Sequence, residues 1–274
     1  MKLIHRVLFA VPLAGMTLAS VFPGDLRGQS VCETNLPAGI YGTFGGAVVI
    51  YDRNADHYTE YHPKECERRL SPASTFKIPN SLIGLESGVI RDEHYVIPWD
   101  SVNRDFPAWN RDHDLASAIA NSVVWYYQEL ARRVGENRML AYIQEINYGN
   151  NDVSGGIDRF WLGSTLKISA REQVAFLRRL HDETLPFSRR SMEIVKKILI
   201  LERTDSTVLR GKTGFADQPD GTVVGWFVGY VEKRDKVYYF ACNFTSDNAE
   251  RDGNTIFARK KDMAIEVLRK LGIL

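Results

Sequence analysis

Three cysteines in 274 residues, none spaced Cys-x-x-Cys, and six histidines without a His-Glu-x-x-His pair leave the chain with no tetrahedral metal-site signature. Excess charge of either sign is equally absent. Thirty-five Lys and Arg stand against 34 Asp and Glu, a net charge of +1. Without a clustered basic excess there is no electrostatic footprint for nucleic acid. With only 10 Pro and 21 Gly, the chain is neither collagen-like nor largely disordered. Internal repeats are missing too. What is present is an ordinary globular composition, 44% hydrophobic and 25% charged. A chain of this length can bury a sizeable core without staples.

The first apolar run, from Val7 to Ala19, follows Lys2 and Arg6 and is too short to span a bilayer comfortably. A basic flank, a short apolar core and small residues beyond it predict a secretory signal peptide over residues 1 to about 25. A membrane anchor is the alternative reading. Export would place residues 26–274 in an oxidising, periplasmic or external compartment, with no stable membrane association after cleavage. There Cys32 and Cys66, both in polar surroundings, could pair. Cys242, inside an apolar run, reads as a buried free thiol.

Gly46 to Asp52 and His57 to His62, joined by a polar turn, predict a hairpin. A helix should follow the Ser71-Pro72 start signal and end at Gly88. Residues from about 91 to 200 read as mostly helical, with clear helical periods at 114–120 and 171–180. β-rich runs return at 222–231 and 236–243, and an amphipathic helix is expected over about 257–271. One strand pair, a helical insertion, more strands and a last helix predict an α/β protein of the α+β type. Its antiparallel sheet is flanked by helices and carries an inserted all-helical lobe, with a ligand cleft between the two.

Ser74-Thr75-Phe76-Lys77 places a hydroxyl and an amine one helical turn apart. Serine is a weak nucleophile that needs such an adjacent base. A helix start adds the positive end of a dipole. Pro79 lacks an N–H, so the turn should be tight or irregular. The motif alone is weak, since chance gives about one Ser-x-x-Lys in a chain this long. Ser164 and Lys167 form just such a second copy. Lys212-Thr213-Gly214, after a short strand from Thr207 to Gly211, is a second weak signal that could project a lysine into a cleft.

Together and in this order, the two motifs resemble the signature of penicillin-recognising serine enzymes. Within them the chain resembles the class D serine β-lactamases, the oxacillinase type. Ser122-Val123-Val124 matches that family's Ser-x-Val, Tyr148-Gly149-Asn150 its Tyr-Gly-Asn, and Phe160-Trp161-Leu162 the segment carrying its active-site tryptophan. Ser71-Pro72-Ala73 and Trp226-Phe227-Val228-Gly229 are similar to its flanking segments, and the likeness runs from residue 45 to 271. No partner motifs follow Ser164.

The resemblance implies a β-lactamase/transpeptidase-like fold and hydrolysis of β-lactam antibiotics, hence resistance. Ser74 would be the nucleophile and Lys77 the general base, carbamylated by carbon dioxide to N6-carboxylysine. No other cofactor and no metal are implied. Val124 would wall the pocket and the Trp161 indole N–H would hold the carbamate. Ser122 would relay a proton, Lys212 would polarise it, and Thr213 would meet the substrate carboxylate. Gly214 sits between them, and the Phe215 N–H would join that of Ser74 in an oxyanion hole. Tyr148 reads as structural rather than as an acid–base group. An arginine clamp for the substrate carboxylate is expected near the last helix. The Phe257-x-Arg259 register favours Arg259, whereas counting back from Gly272 reaches Lys260; Arg259 is the expectation. Small β-lactams are the implied partners, a homodimer is compatible, and a β-lactam sensor module or a cell-wall transpeptidase are the rival readings.

Overall fold

The computed structural model describes residues 31–33 and 40–274. The leader expected over residues 1–25 and the Cys32 side chain lie outside the described residues. The strands are β1 (Val31–Glu33), β2 (Gly45–Asp52), β3 (His57–Tyr61), β4 (Ile200–Arg203), β5 (Thr207–Asp217), β6 (Val223–Lys233) and β7 (Lys236–Ser246). They form one sheet in the order β1-β3-β2-β7-β6-β5-β4. Every neighbouring pair is antiparallel except β1 with β3. Both ends of the chain therefore complete the sheet, as expected.

Period-two alternation sorts the strand residues onto two faces. Val48, Ile50, Phe227, Phe240, Cys242 and Phe244 pack beneath α8 (Ala249–Lys270). On the other face Ala47, Val49, Trp226, Val228, Tyr239 and Ala241 join a larger core shared with the remaining helices. β6 is buried on both faces, which is why its sequence is a nearly unbroken apolar run. α6 (Ala170–His181) lies directly on β2, β6 and β7. α2 (Lys77–Glu86), α3 (Leu115–Ala120), α4 (Val124–Val134), α5 (Glu136–Ile146) and α7 (Arg189–Ile198) pack on one another beyond it. A short α1 (Pro63–Glu67) packs beside β2.

Four expectations are corrected. Residues 91–114 and 147–169 are irregular rather than helical, because Asp and Asn side chains there cap backbone N–H groups locally, as Asp112 does for Trp99 and Asn110 for Arg104. β5 does not stop at Gly211 but runs through Lys212-Thr213-Gly214 to Asp217, held over its whole length by β6. α8 starts at Ala249, capped by the Asn248 side chain, well before the apolar spacing becomes regular. Cys66 is not in polar surroundings. It is a fully buried free thiol that donates to the carbonyls of Val48 and Tyr61. Cys242 is buried and free, as expected. Among the described residues no helix is long and apolar enough to cross a membrane.

Candidate active site

The segment before α2 is a single tight turn. Ala73 is left-handed at φ 48°, and a 3-10 helix over Ala73–Phe76 leads directly into α2. This is the irregular entry expected from Pro79. A non-glycine residue in that region is strained and is held there only by its surroundings. Here the turn is locked by Thr75, whose N–H and hydroxyl both donate to the Pro72 carbonyl. Ser74 is thereby presented at the mouth of the helix, with Lys77 Nζ 2.6 Å from its Oγ.

Lys77 is completely buried. Burial, reinforced by the nearby Lys212 charge, pushes its pKa well below the ordinary lysine range. A neutral amine in contact with a serine hydroxyl is a ready base. Its floor is the Tyr127 ring, 5.5 Å from Nζ, and the Tyr127 hydroxyl bonds Ser81 Oγ. The second Ser-x-x-Lys copy is arranged differently, since Lys167 Nζ donates to Gln218 Oε1 at 2.7 Å.

Ser122 is also left-handed, at φ 53°, in the turn between α3 and α4. Lys212 Nζ, 6% exposed, donates to Ser122 Oγ and to the Thr213 carbonyl, each at 3.0 Å. Burial, then the charge of Lys260, brings Lys212 down to about 7. Beside Ser122, Val123 is wholly buried and Val124 is half-buried at the first residue of α4.

β4 pairs only with β5 residues Val208 to Arg210, so among the described residues the outer edge of β5 from Lys212 to Asp217 carries no strand. An open edge offers backbone donors and acceptors to a bound ligand. Gly214 sits on the inward face, where a Cβ would lie 2.9 Å from the Pro72 carbonyl. That contact lets β5 approach the nucleophile turn. Thr213 and Phe215 alternate to the α8 side.

Trp161 is completely buried, stacked on Phe76 at 5.3 Å, and its indole N–H has no partner among the described residues. A buried orphan donor is costly and marks a position where an acceptor belongs. Tyr148 is different. It is wedged edge-on between Phe76 and Phe176, and its hydroxyl donates to Gln173 Oε1 at 3.4 Å. Gly149 is left-handed with the Lys167 carbonyl only 2.0 Å from where a Cβ would sit, and Asn150 bonds the backbone of Thr165 and Lys167. The Tyr-Gly-Asn segment is thus a packing device.

The two clamp candidates are placed differently. The inner stripe of α8 is Ile256, Lys260, Met263, Ala264 and Val267, so Arg259, about 100° round the helix from Lys260, is exposed. Lys260 is the buried cation. Its Nζ donates to the Phe257 carbonyl and lies 4.2 Å from the Phe257 ring and 5.9 Å from that of Phe215. Lys260 is the alternative that counting back from Gly272 reaches. Among the described residues no group of three or more His, Cys, Asp or Glu could hold a metal ion.

The penicillin-binding protein transpeptidase domain family matches residues 45–261. Beta-lactamase OXA-48 from Klebsiella pneumoniae is 45% identical over 74% of this chain and 77% of its own length. The regulatory protein BlaR1 from Bacillus licheniformis is 33% identical over 99% of this chain, which spans 45% of BlaR1. The crystal structure of a class D β-lactamase from Nostoc superposes with a TM-score of 0.80 at 41% identity, covering 86% of this chain and 98% of that one.

Proposed function

The chain belongs to the class D β-lactamases, serine hydrolases of β-lactam antibiotics that give resistance, and from that premise we propose that the reaction runs through an acyl-enzyme on Ser74. The observation that carries this reading is the 2.6 Å contact between Ser74 Oγ and a wholly buried, charge-depleted Lys77. Ser74 Oγ gives its proton to the base at Lys77 and attacks the lactam carbonyl carbon, the ring C–N bond breaks, and the acyl group stays on the serine. The Ser122 hydroxyl gives its proton to the leaving nitrogen and is resupplied through Lys212, to which it is bonded. The N–H groups of Ser74 and Phe215 meet the developing oxyanion, a donor of this kind supporting about 3 kcal/mol of barrier reduction. Water then cleaves the ester and restores Ser74.

Bound to Lys77 as N6-carboxylysine, carbon dioxide supplies a carboxylate-like general base there. The residues suit that group: the desolvated Lys77 amine can bond the carbon of CO2 with loss of one proton, and the orphan Trp161 N–H is the donor available to hold it. Val124 and Tyr127 keep the pocket apolar. On the other side of the cleft Thr213 and Lys260, not Arg259, receive the substrate carboxylate. Residues 26–274 make one catalytic domain with its helical lobe at about 91–200. Residues 1–25 direct export to the periplasm.

Benzylpenicillin turnover with and without bicarbonate tests the reading. Many turnovers, increased by bicarbonate, are expected. A single stoichiometric burst leaving a stable Ser74 ester would instead favour a sensor like the regulatory relative, and no ring opening would overturn both.

A further inference from the structure

Outside the residues already given roles, one buried side chain joins three parts of the site. Ser71 is completely buried. Its hydroxyl donates to the Trp161 carbonyl at 2.9 Å and accepts from the Gly163 N–H at 2.9 Å, so one oxygen grips the chain on both sides of Leu162. The same oxygen takes a weaker bond from the Ala73 N–H at 3.4 Å. The Ser71 main chain is anchored in turn, its carbonyl accepting from the Trp226 indole N–H of β6 at 2.9 Å and its N–H donating to Gln218 Oε1 at 3.4 Å. We propose, on the carbamylated-lysine reading above, that Ser71 is a positioning residue that sets where the Trp161 indole N–H points and thereby sets how tightly Lys77 holds carbon dioxide.

Stacking of Trp161 on Phe76 fixes the ring plane but leaves it free to slide, since stacked rings tolerate offset. Backbone bonds at Trp161 and Gly163 remove that freedom. Replacing the hydroxyl by a hydrogen leaves the Trp161 carbonyl and the Gly163 N–H unpaired in a dry interior, and the loop must move to satisfy them. The nucleophile turn itself keeps its own bonds through Thr75. The geometry of the nucleophile turn should therefore survive the change while carbamate affinity falls. Small displacements of supporting residues commonly weaken a bound group by about 10- to 100-fold.

The test is a titration of the whole enzyme with 13C-labelled bicarbonate, following the lysine carbamate resonance by NMR, for wild type, Ser71→Ala and Trp161→Phe. Steady-state turnover is measured alongside. Ser71→Ala is expected to raise the bicarbonate concentration at half occupancy about tenfold, with turnover near wild type at saturating bicarbonate. Ser71→Thr, which keeps the hydroxyl, should restore occupancy. If Ser71→Ala does not fold, Ser71→Cys, similar in shape with only a weak donor, is read the same way. A shift for Trp161→Phe with none for the Ser71 variants overturns the role of Ser71 alone. A loss for Ser71→Ala that is equal at every bicarbonate level also overturns it, because that marks a purely structural residue. No carbamate signal in wild type overturns the carbamylated-lysine reading and the role of Ser71 with it, whereas a wild-type signal that Trp161→Phe leaves unmoved overturns the Trp161 contact and the role of Ser71 but not the carbamate.

Discussion

The Nζ of Lys212 donates to the Oγ of Ser122 at 3.0 Å, tying the open edge of β5 to a left-handed residue between two helices of the other lobe. On the proposed mechanism, this bond lies where the leaving nitrogen would take its proton. It also places a buried lysine within electrostatic reach of two others, Lys77 and Lys260. Three lysines crowded into a dry cleft cost the fold stability. They are the price of a polar site.

That cost depends on pH. The folded-state pKa of Lys212 is about 7 against an ordinary value of 10.5, so between these limits the unfolded chain binds the extra proton. Stability must then rise with pH across this window, and the same sign holds for Lys77 and for Lys260, lowered to about 8. Lys212→Met removes one of these terms. Denaturant unfolding should show the variant more stable than wild type at pH 7, with the difference shrinking towards pH 10. A variant less stable at pH 7 would contradict the assigned burial cost.

Removing the nucleophile separates binding from chemistry. Ser74→Ala should still bind benzylpenicillin but lose at least ~10³-fold in turnover, because an unassisted water lacks the positioned hydroxyl. Intact-mass measurement should find no acylated protein. Residual acylation at another serine, Ser164 included, would displace Ser74 from its role.

How much of this was readable from the chain depends on the kind of signal. The apolar, β-rich runs at Gly46–Asp52, Thr222–Val231 and Lys236–Asn243 reported their own burial, and the strands formed there. Ser74, Lys77, Ser122 and Lys212 were readable because their motifs have fixed order and spacing, and the structure brings them into two bonded pairs. Features set by tertiary contact were not readable. The length of β5 depends on pairing with β6, and the early start of α8 at Ala249 is defined by an Asn cap, not by apolar periodicity. β4 is three-quarters exposed residues and shows no alternation. The hub at Ser71 left no local trace, because its partners lie 90 or more residues away.

Tyr148 offers a clean distinction between packing and proton transfer. Tyr148→Phe deletes the hydroxyl with its 3.4 Å bond to Gln173 and its hydrogen bond with Thr75, and should leave turnover and its pH profile unchanged, at a cost of about 1–2 kcal/mol in stability. Tyr148→Ala empties a site between Phe76 and Phe176 and should cost about 3–5 kcal/mol. Thermal and denaturant unfolding check both, and a large rate loss in the phenylalanine variant would make Tyr148 an acid–base group after all.

Lys260 should make substrate capture sensitive to alkali in a way that an arginine would not. With its pKa lowered to about 8 by burial, Lys260 is charged below that point and neutral above it. If it receives the substrate carboxylate, KM for benzylpenicillin must rise as the pH passes 8, with Lys212, at about 7, contributing the lower part of the limb. Lys260→Arg keeps a charge at every accessible pH and offers two parallel donors, so the upper part of the limb should vanish. Lys260→Met should raise KM about tenfold at pH 7 and flatten the same region, since a charge-assisted bond of this kind contributes roughly 1.5–3 kcal/mol. Arg259→Ala, on the exposed side of α8, should change KM by less than about twofold, because an exposed charge at that distance is screened. KM against pH for the three variants decides the matter: a flat Lys260→Met effect with a steep Arg259→Ala effect would return the clamp to Arg259.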